Sequence, residues 1–125
     1  MDRAAFDAFC ASLPATFMVV QWGDAHVWKV GNADANKVFA LSSNWGDEVA
    51  ADGHKIVFKC SDMGFRILTE EDGVIPAPYM GRHKYVQVAK AGALSEDELR
   101  DYISAAHEIM AAKLTKAQRE AAGLD

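Results

Sequence analysis

The sequence predicts an α+β domain in two layers, an antiparallel sheet of about five strands with helices packed on one face. Two helical patterns lie towards the ends of the chain, and four runs rich in Val, Phe, Trp and Thr lie between them. A short helix, a loop and a fifth such run precede the last helix. Most gaps between the first four runs are short, whereas parallel neighbours need crossovers of about a dozen residues or more. The predicted order is α-β-β-β-β-α-β-α within a single domain, residues 1–125.

Apolar spacing and end signals predict three helices. The first has an apolar stripe at i, i+3, i+4 and i+7, and Pro14 ends it. The second begins at a Ser61 or Asp62 cap and ends before Gly73. The third opens with a capping box between Ser95 and Glu98. The predicted ranges are 2–13, 61–72 and 95–114, with residues 115–125 as a further helical turn or a frayed tail.

Strand-like runs occupy residues 16–22, 26–30, 37–42, 54–60 and 84–89. Alternation in the fourth run predicts that Lys55 and Lys59 share one face of the sheet. These lysines form a basic stripe able to meet phosphates, or they are the ordinary solvent-facing positions of a half-buried sheet. In the last run, Tyr85 and Gln87 are expected on one face, opposite Val86.

Composition and charge describe an acidic protein. The 125 residues are 50% hydrophobic and 25% charged, and the formal net charge is −5. Such a chain repels nucleic-acid phosphate at long range, so a nucleic-acid site would have to be a local basic patch. No run approaches the roughly 18 apolar residues of a membrane span, and the N-terminus is acidic where a signal peptide is basic. We therefore expect a cytoplasmic protein without a membrane partner.

Residues 73–88 concentrate the candidate ligand-binding side chains. This stretch contains two prolines, two glycines and a dense set of aromatic and basic residues. In one interpretation, the rings and cations bind an anionic or nucleic-acid ligand. In the other, the loop is a stiff connection, a tyrosine fills the edge of the core and the cations are solvated. The residues concerned are Tyr79, Arg82, His83, Lys84 and Tyr85.

Three tryptophans are secondary candidates. Trp22 and Trp28 are expected to pack in the sheet core or at its rim, although Trp22 also lies where it can line a ligand site. Trp45 lies in a polar stretch and is expected to be partly exposed.

The histidines and cysteines do not predict a metal site or an enzyme. The four histidines lack an HxxxH spacing, and His107 is expected on the polar side of the last helix. Cys10 and Cys60 form no CxxC pair, and Cys10 fits the apolar stripe of the first helix as a small core residue. No nucleophile or phosphate-loop motif is present. We therefore predict no cofactor, no metal and no catalytic residue.

Several landmarks together resemble the small bacterial MmcQ/YjbR-like proteins. The resemblance runs over nearly the whole chain, through SLPAT, a Trp-Gly pair, VWKVG, KVFAL, FKC, GVIPAPYMGRHKYVQV and the LSEDEL entry to the last helix. It implies a two-layer domain related to secretion chaperones, also described as a double-wing DNA-binding shape. Members of the family are often labelled DNA-binding by that analogy, which is an argument from fold and not from a site.

Two functions follow as hypotheses. The first is a non-enzymatic DNA-binding module that uses the loop at residues 79–85 together with the lysine face of the sheet. The alternative is a protein-interaction module, chaperone-like or self-associating, with no nucleic-acid role. A monomer is assumed.

Overall fold

The fold is known from a computed structural model that describes residues 1–44 and 54–124. A six-stranded antiparallel sheet has the order β1-β2-β3-β4-β6-β5. Within these residues four α-helices accompany the sheet, and none of them is long and apolar enough to cross a membrane. The elements are α1 Arg3–Ser12, β1 Thr16–Gln21, β2 Ala25–Gly31, β3 Asn36–Ser43, β4 Lys55–Lys59, α2 Asp62–Leu68, β5 Val74–Pro76, β6 Tyr85–Val88, α3 Glu96–Ala111 and α4 Lys116–Ala121.

The predicted fold class is confirmed, with one strand more than expected. The additional strand, β5, is three residues long and forms the outer edge beside β6. Pro76 has no N–H to donate, and an edge strand is where a sheet tolerates this. The predicted capping box of α3 is present, with the Ser95 side chain on the Glu98 N–H and the Glu98 side chain on the Ser95 N–H.

Helices α1 and α3 cover one face of the sheet, and their apolar stripes form the main core with it. Phe6 and Cys10 of α1 are fully buried there, as the spacing predicted. Burial raises the pKa of the Cys10 thiol far above its ordinary value, with the Asp7 charge as a smaller cause. This thiol is therefore an unreactive core group.

His107 also belongs to this core, so the prediction that it lies on the polar side of α3 is wrong. It is 6% exposed, and its ring meets the Phe39 ring edge to face at 5.3 Å between centroids. Its Nε2 lies 2.7 Å from the Pro14 carbonyl oxygen, and because a carbonyl can only accept, Nε2 carries the proton. The buried face of α3 thus includes His107, whose hydrogen bond to the Pro14 carbonyl connects α3 to the segment that follows α1.

A second apolar cluster covers the centre of the opposite face. Val27, Leu41 and Val57 are fully buried there, packed with Ala77 and Met80 from the connection between β5 and β6. The stretch at residues 77–84 therefore lies on the face that the helices leave uncovered, and it brings its charged side chains to one end of the sheet.

Candidate functional site

The connection between β5 and β6 is a compact, hydrogen-bonded turn. The Ala77 N–H donates to the Tyr85 carbonyl at 2.9 Å, and the Met80 N–H donates to the Ala77 carbonyl at 3.1 Å. A short 3-10 turn follows at Gly81–His83. Tyr79 and Lys84 both have φ of 67°, the left-handed region, which reverses the chain twice. Tyr79 is 88% exposed, so the alternative in which this tyrosine fills the edge of the core is excluded.

A cleft of about 600 Å³ lies at this end of the sheet, where β3 begins, β4 ends and β6 begins. Volumes of this order are typical of ligand sites. Five of its side chains are lysine or arginine, whereas a single one is a carboxylate, and a histidine adds to the basic set. We call it the basic cleft, and its lining residues are Asn36, Lys37, Val38, Lys59, Asp62, Met80, Arg82, His83, Lys84, Tyr85, Met110 and Lys113.

The cations of the basic cleft are not neutralised by ion pairs. Within residues 1–44 and 54–124, no carboxylate lies within salt-bridge distance of any of the five. Other cations of the protein behave differently, since Lys90 pairs with Asp72 at 3.2 Å and Arg100 pairs with Asp97 at 3.2 Å. The cleft therefore gathers positive charge that no carboxylate of the described residues neutralises by an ion pair.

Lys59 is the most constrained cation of the cleft. Its Nζ donates to the His83 carbonyl oxygen and lies 5.5 Å from the centroid of the Tyr85 ring. Its pKa is lowered, first by burial and then by the neighbouring positive charges of Lys113 and Lys84, against an opposing effect of Asp62. A bound anion would relieve this repulsion, so the ammonium at this position favours anion binding.

Lys84 is held in a similar way. Its Nζ lies 5.0 Å from the centroid of the Phe65 ring of α2, a cation–π contact that keeps the side chain against the protein. Lys37, Arg82 and Lys113 are exposed at the rim of the cleft. The site thus has two cations held by contacts within the protein and three that are exposed to solvent.

Tyr85 forms a wall of the cleft, which corrects its predicted role as a stacking surface. It is 6% exposed, and its hydroxyl donates to the Val38 carbonyl at 2.6 Å. Burial raises its pKa to about 12. The Tyr85 ring is therefore covered and offers no face for stacking. Tyr79 is exposed instead, and Met80, its neighbour in the chain, lines the cleft.

The structure separates two further predicted residues from the site. Lys55 is 2% exposed, so the exposed basic stripe predicted for β4 does not exist. It pairs with Ser43 across β3 and β4 and lines a different cleft of about 570 Å³. Trp22 follows β1 at the far end of the sheet and is 51% exposed, so it does not pack in the core. Trp28 is 7% exposed, as predicted, and Trp45 lies outside the described residues.

Comparison with known proteins identifies the family. The YjbR family model matches residues 11–109. The chain belongs to the YjbR family. The resemblance inferred from the sequence landmarks is therefore confirmed. A search of curated proteins found no match.

Two solved structures have the same fold as this YjbR-family chain. Deinococcus radiodurans protein DR2400, a DUF419 domain, is 19% identical with a TM-score of 0.82, over 98% of this chain and 88% of that one. A Pseudomonas syringae protein from the Northeast Structural Genomics Consortium is 20% identical with a TM-score of 0.70, over 88% of this chain and 99% of that one. At such identities the likeness concerns the fold alone.

Other polar groups of the YjbR-family chain have structural partners. Asp7 accepts hydrogen bonds from His26 Nδ1 at 2.7 Å and Trp28 Nε1 at 2.8 Å, and Arg3 Nε donates to Ser42 Oγ at 2.8 Å. These bonds fix α1 to the sheet. In the part of the chain that the structure describes, no group of three His, Cys, Asp or Glu side chains is placed to hold a metal ion.

Proposed function

We propose that this YjbR-family chain is a non-enzymatic DNA-binding module and that the basic cleft is its contact surface. One observation carries the proposal: five cations without ion pairs face one cleft in a protein whose formal net charge is −5. Lysine and arginine that neutralise phosphates release condensed counterions, and this release supplies most of the affinity of non-specific DNA binding.

Four parts of the chain build the charge of the cleft. Lys37 comes from β3, Lys59 from the end of β4, and Lys113 from the residues after α3, while Arg82 and Lys84 come from the turn before β6. Phosphate contacts position a protein on DNA but do not read sequence. The proposed binding is therefore tolerant of sequence.

Fluorescence anisotropy of labelled DNA tests the proposal. Arg82→Ala/Lys84→Ala should weaken binding and should flatten the salt dependence between about 50 and 200 mM, because each phosphate contact contributes about 0.7 to 0.9 to the slope of log affinity against log salt. The matched control is Lys90→Ala/Arg100→Ala, which removes the same charge from cations that already pair with carboxylates outside the cleft. Equal losses in the two double variants, or no binding at low salt, would contradict the proposal.

A protein-interaction role is the second candidate, and the edge strand β1 supports it. Within β1, TFMVVQ, no residue is charged, and Met18 and Val20 are 37% and 55% exposed beside Trp22. Natural edge strands are usually protected by charge, proline or a bulge. If this edge binds a second copy, sedimentation should show a dimer that Val20→Lys dissociates, and a monomer at high concentration would exclude self-association.

A further inference from the structure

We propose that the DNA held in the basic cleft is single-stranded and that one of its bases stacks on the ring of Tyr79. The inference rests on the proposed function, because it presupposes that the cleft binds DNA. The proposed ligand is a flexible phosphodiester strand with exposed bases. Its contacts include Tyr79, which is not a lining residue of the cleft.

The helices argue against duplex recognition. A helix that enters the major groove presents basic and amide side chains to base edges and phosphates. The long helix α3 has three acidic residues in its first turn, and its Arg100 is paired with Glu96 and Asp97. Helix α4 is six residues long, and its Arg119 is bound to the Leu114 carbonyl at 2.6 Å. Among the helices described, none offers a basic face for a groove.

The shape of the site favours a flexible strand. The cations come from separate parts of the chain and gather around one open cleft of about 600 Å³. Lys59 and Lys84 are held in place by the His83 carbonyl and the Phe65 ring. A stiff duplex presents its phosphates along two fixed ridges, whereas a single strand can bend its backbone to follow cations that are gathered around one cleft. Proteins that bind single strands without sequence preference combine a basic groove with aromatic rings for stacking.

Tyr79 supplies the aromatic ring. It is 88% exposed, and its backbone is left-handed with φ of 67°, a conformation that non-glycine residues rarely adopt. The residue that follows it, Met80, packs in the second apolar cluster and lines the basic cleft. The turn is thus anchored through Met80, and Tyr79, the preceding residue in the chain, is exposed to solvent. A strand whose phosphates occupy the cleft would have a base within reach of this ring.

Three labelled probes of equal length test the inference: an oligothymidylate of about 12 nucleotides, an abasic strand with the same phosphates, and a duplex. The oligothymidylate should bind at least about tenfold more tightly than the duplex, and more tightly than the abasic strand. Tyr79→Ala should lose about fivefold or more in affinity for the oligothymidylate and should bind the abasic strand as well as the parent protein does. Tyr79→Phe, which retains the ring, should behave like the parent protein.

The failures of the two proposals are distinguishable. If the duplex binds as tightly as the oligothymidylate, or if Tyr79→Ala binds both single strands like the parent protein, the single-strand inference is wrong while DNA binding stands. If the Tyr79→Ala loss is the same for the abasic strand, stacking is excluded. If none of the three probes binds at low salt to a protein whose circular dichroism shows it folded, both proposals fall.

Discussion

Tyr85 connects the sheet to the wall of the basic cleft. Its hydroxyl donates to the Val38 carbonyl at 2.6 Å across the end of the sheet, and its ring lies under the Lys59 ammonium. The phenol is 6% exposed, so this hydrogen bond is made away from water. Removal of the hydroxyl leaves the Val38 carbonyl without that donor, and buried acceptors are costly to leave unpaired.

We predict that Tyr85→Phe lowers the free energy of unfolding by about 1 kcal/mol at neutral pH, measured by urea denaturation. The pKa of Tyr85 is raised by burial from 10.0 to about 12, so its contribution to stability is complete below pH 10 and is lost as pH rises through 12. The parent protein should therefore lose stability between these pH values, and Tyr85→Phe should lose less. Parallel curves for the two proteins would show that this phenol does not titrate in the folded state as inferred.

The sequence predicted the burial of some residues correctly and that of others wrongly. Cys10 could be placed because helical spacing alone puts it on the apolar stripe of α1. His107 could not, because a polar side chain joins a core when a distant acceptor is present, and the Pro14 carbonyl is 93 positions away. Lys55 was wrongly predicted to be exposed, since alternation predicts which face a residue occupies but not whether that face is covered.

At the scale of elements, α3 is the best specified. Its capping box satisfies two backbone N–H groups, and Leu94 before the cap and Leu99 after it are both buried in the main core. Local sequence therefore determined where this helix begins. The strand β5 lacked such a signal, because a three-residue run ending in Pro76 pairs only where β6 offers an open edge.

Ser95→Ala should lower the free energy of unfolding by about 1 kcal/mol, because the Glu98 N–H loses its side-chain acceptor at the first turn of α3. Thermal and urea unfolding would measure the loss. Glu98→Gln is the matched control, since a glutamine amide oxygen can still accept from the Ser95 N–H, as Gln118 does for Thr115 at the start of α4. A larger loss in Glu98→Gln than in Ser95→Ala would assign the stability to the Glu98 charge and not to the cap.

At the scale of the whole molecule, positive charge is concentrated in the basic cleft, and only part of that cleft could be predicted from the sequence. The loop at residues 79–85 was found from sequence because its cations are adjacent in the chain. Lys37 and Lys113 were missed because they reach the cleft through the pairing of β3 with β4 and the packing of α3. No local signal marks two isolated lysines in separate elements as partners of one surface.

The same uneven charge predicts how DNA affinity responds to pH. The protein has a formal net charge of −5 at pH 7 and a pI of about 5.3, so acidification removes the long-range repulsion while DNA phosphates keep their charge. At low salt, affinity should rise severalfold between pH 7 and the pI, and the rise should shrink at high salt because ions screen distant charges within about 10 Å at 0.1 M. His83→Gln is the control variant: a rise that persists in this variant comes from the net charge of the protein and not from this side chain of the cleft. An affinity that does not change with pH at low salt would show that the acidic remainder of the molecule does not oppose binding at the cleft.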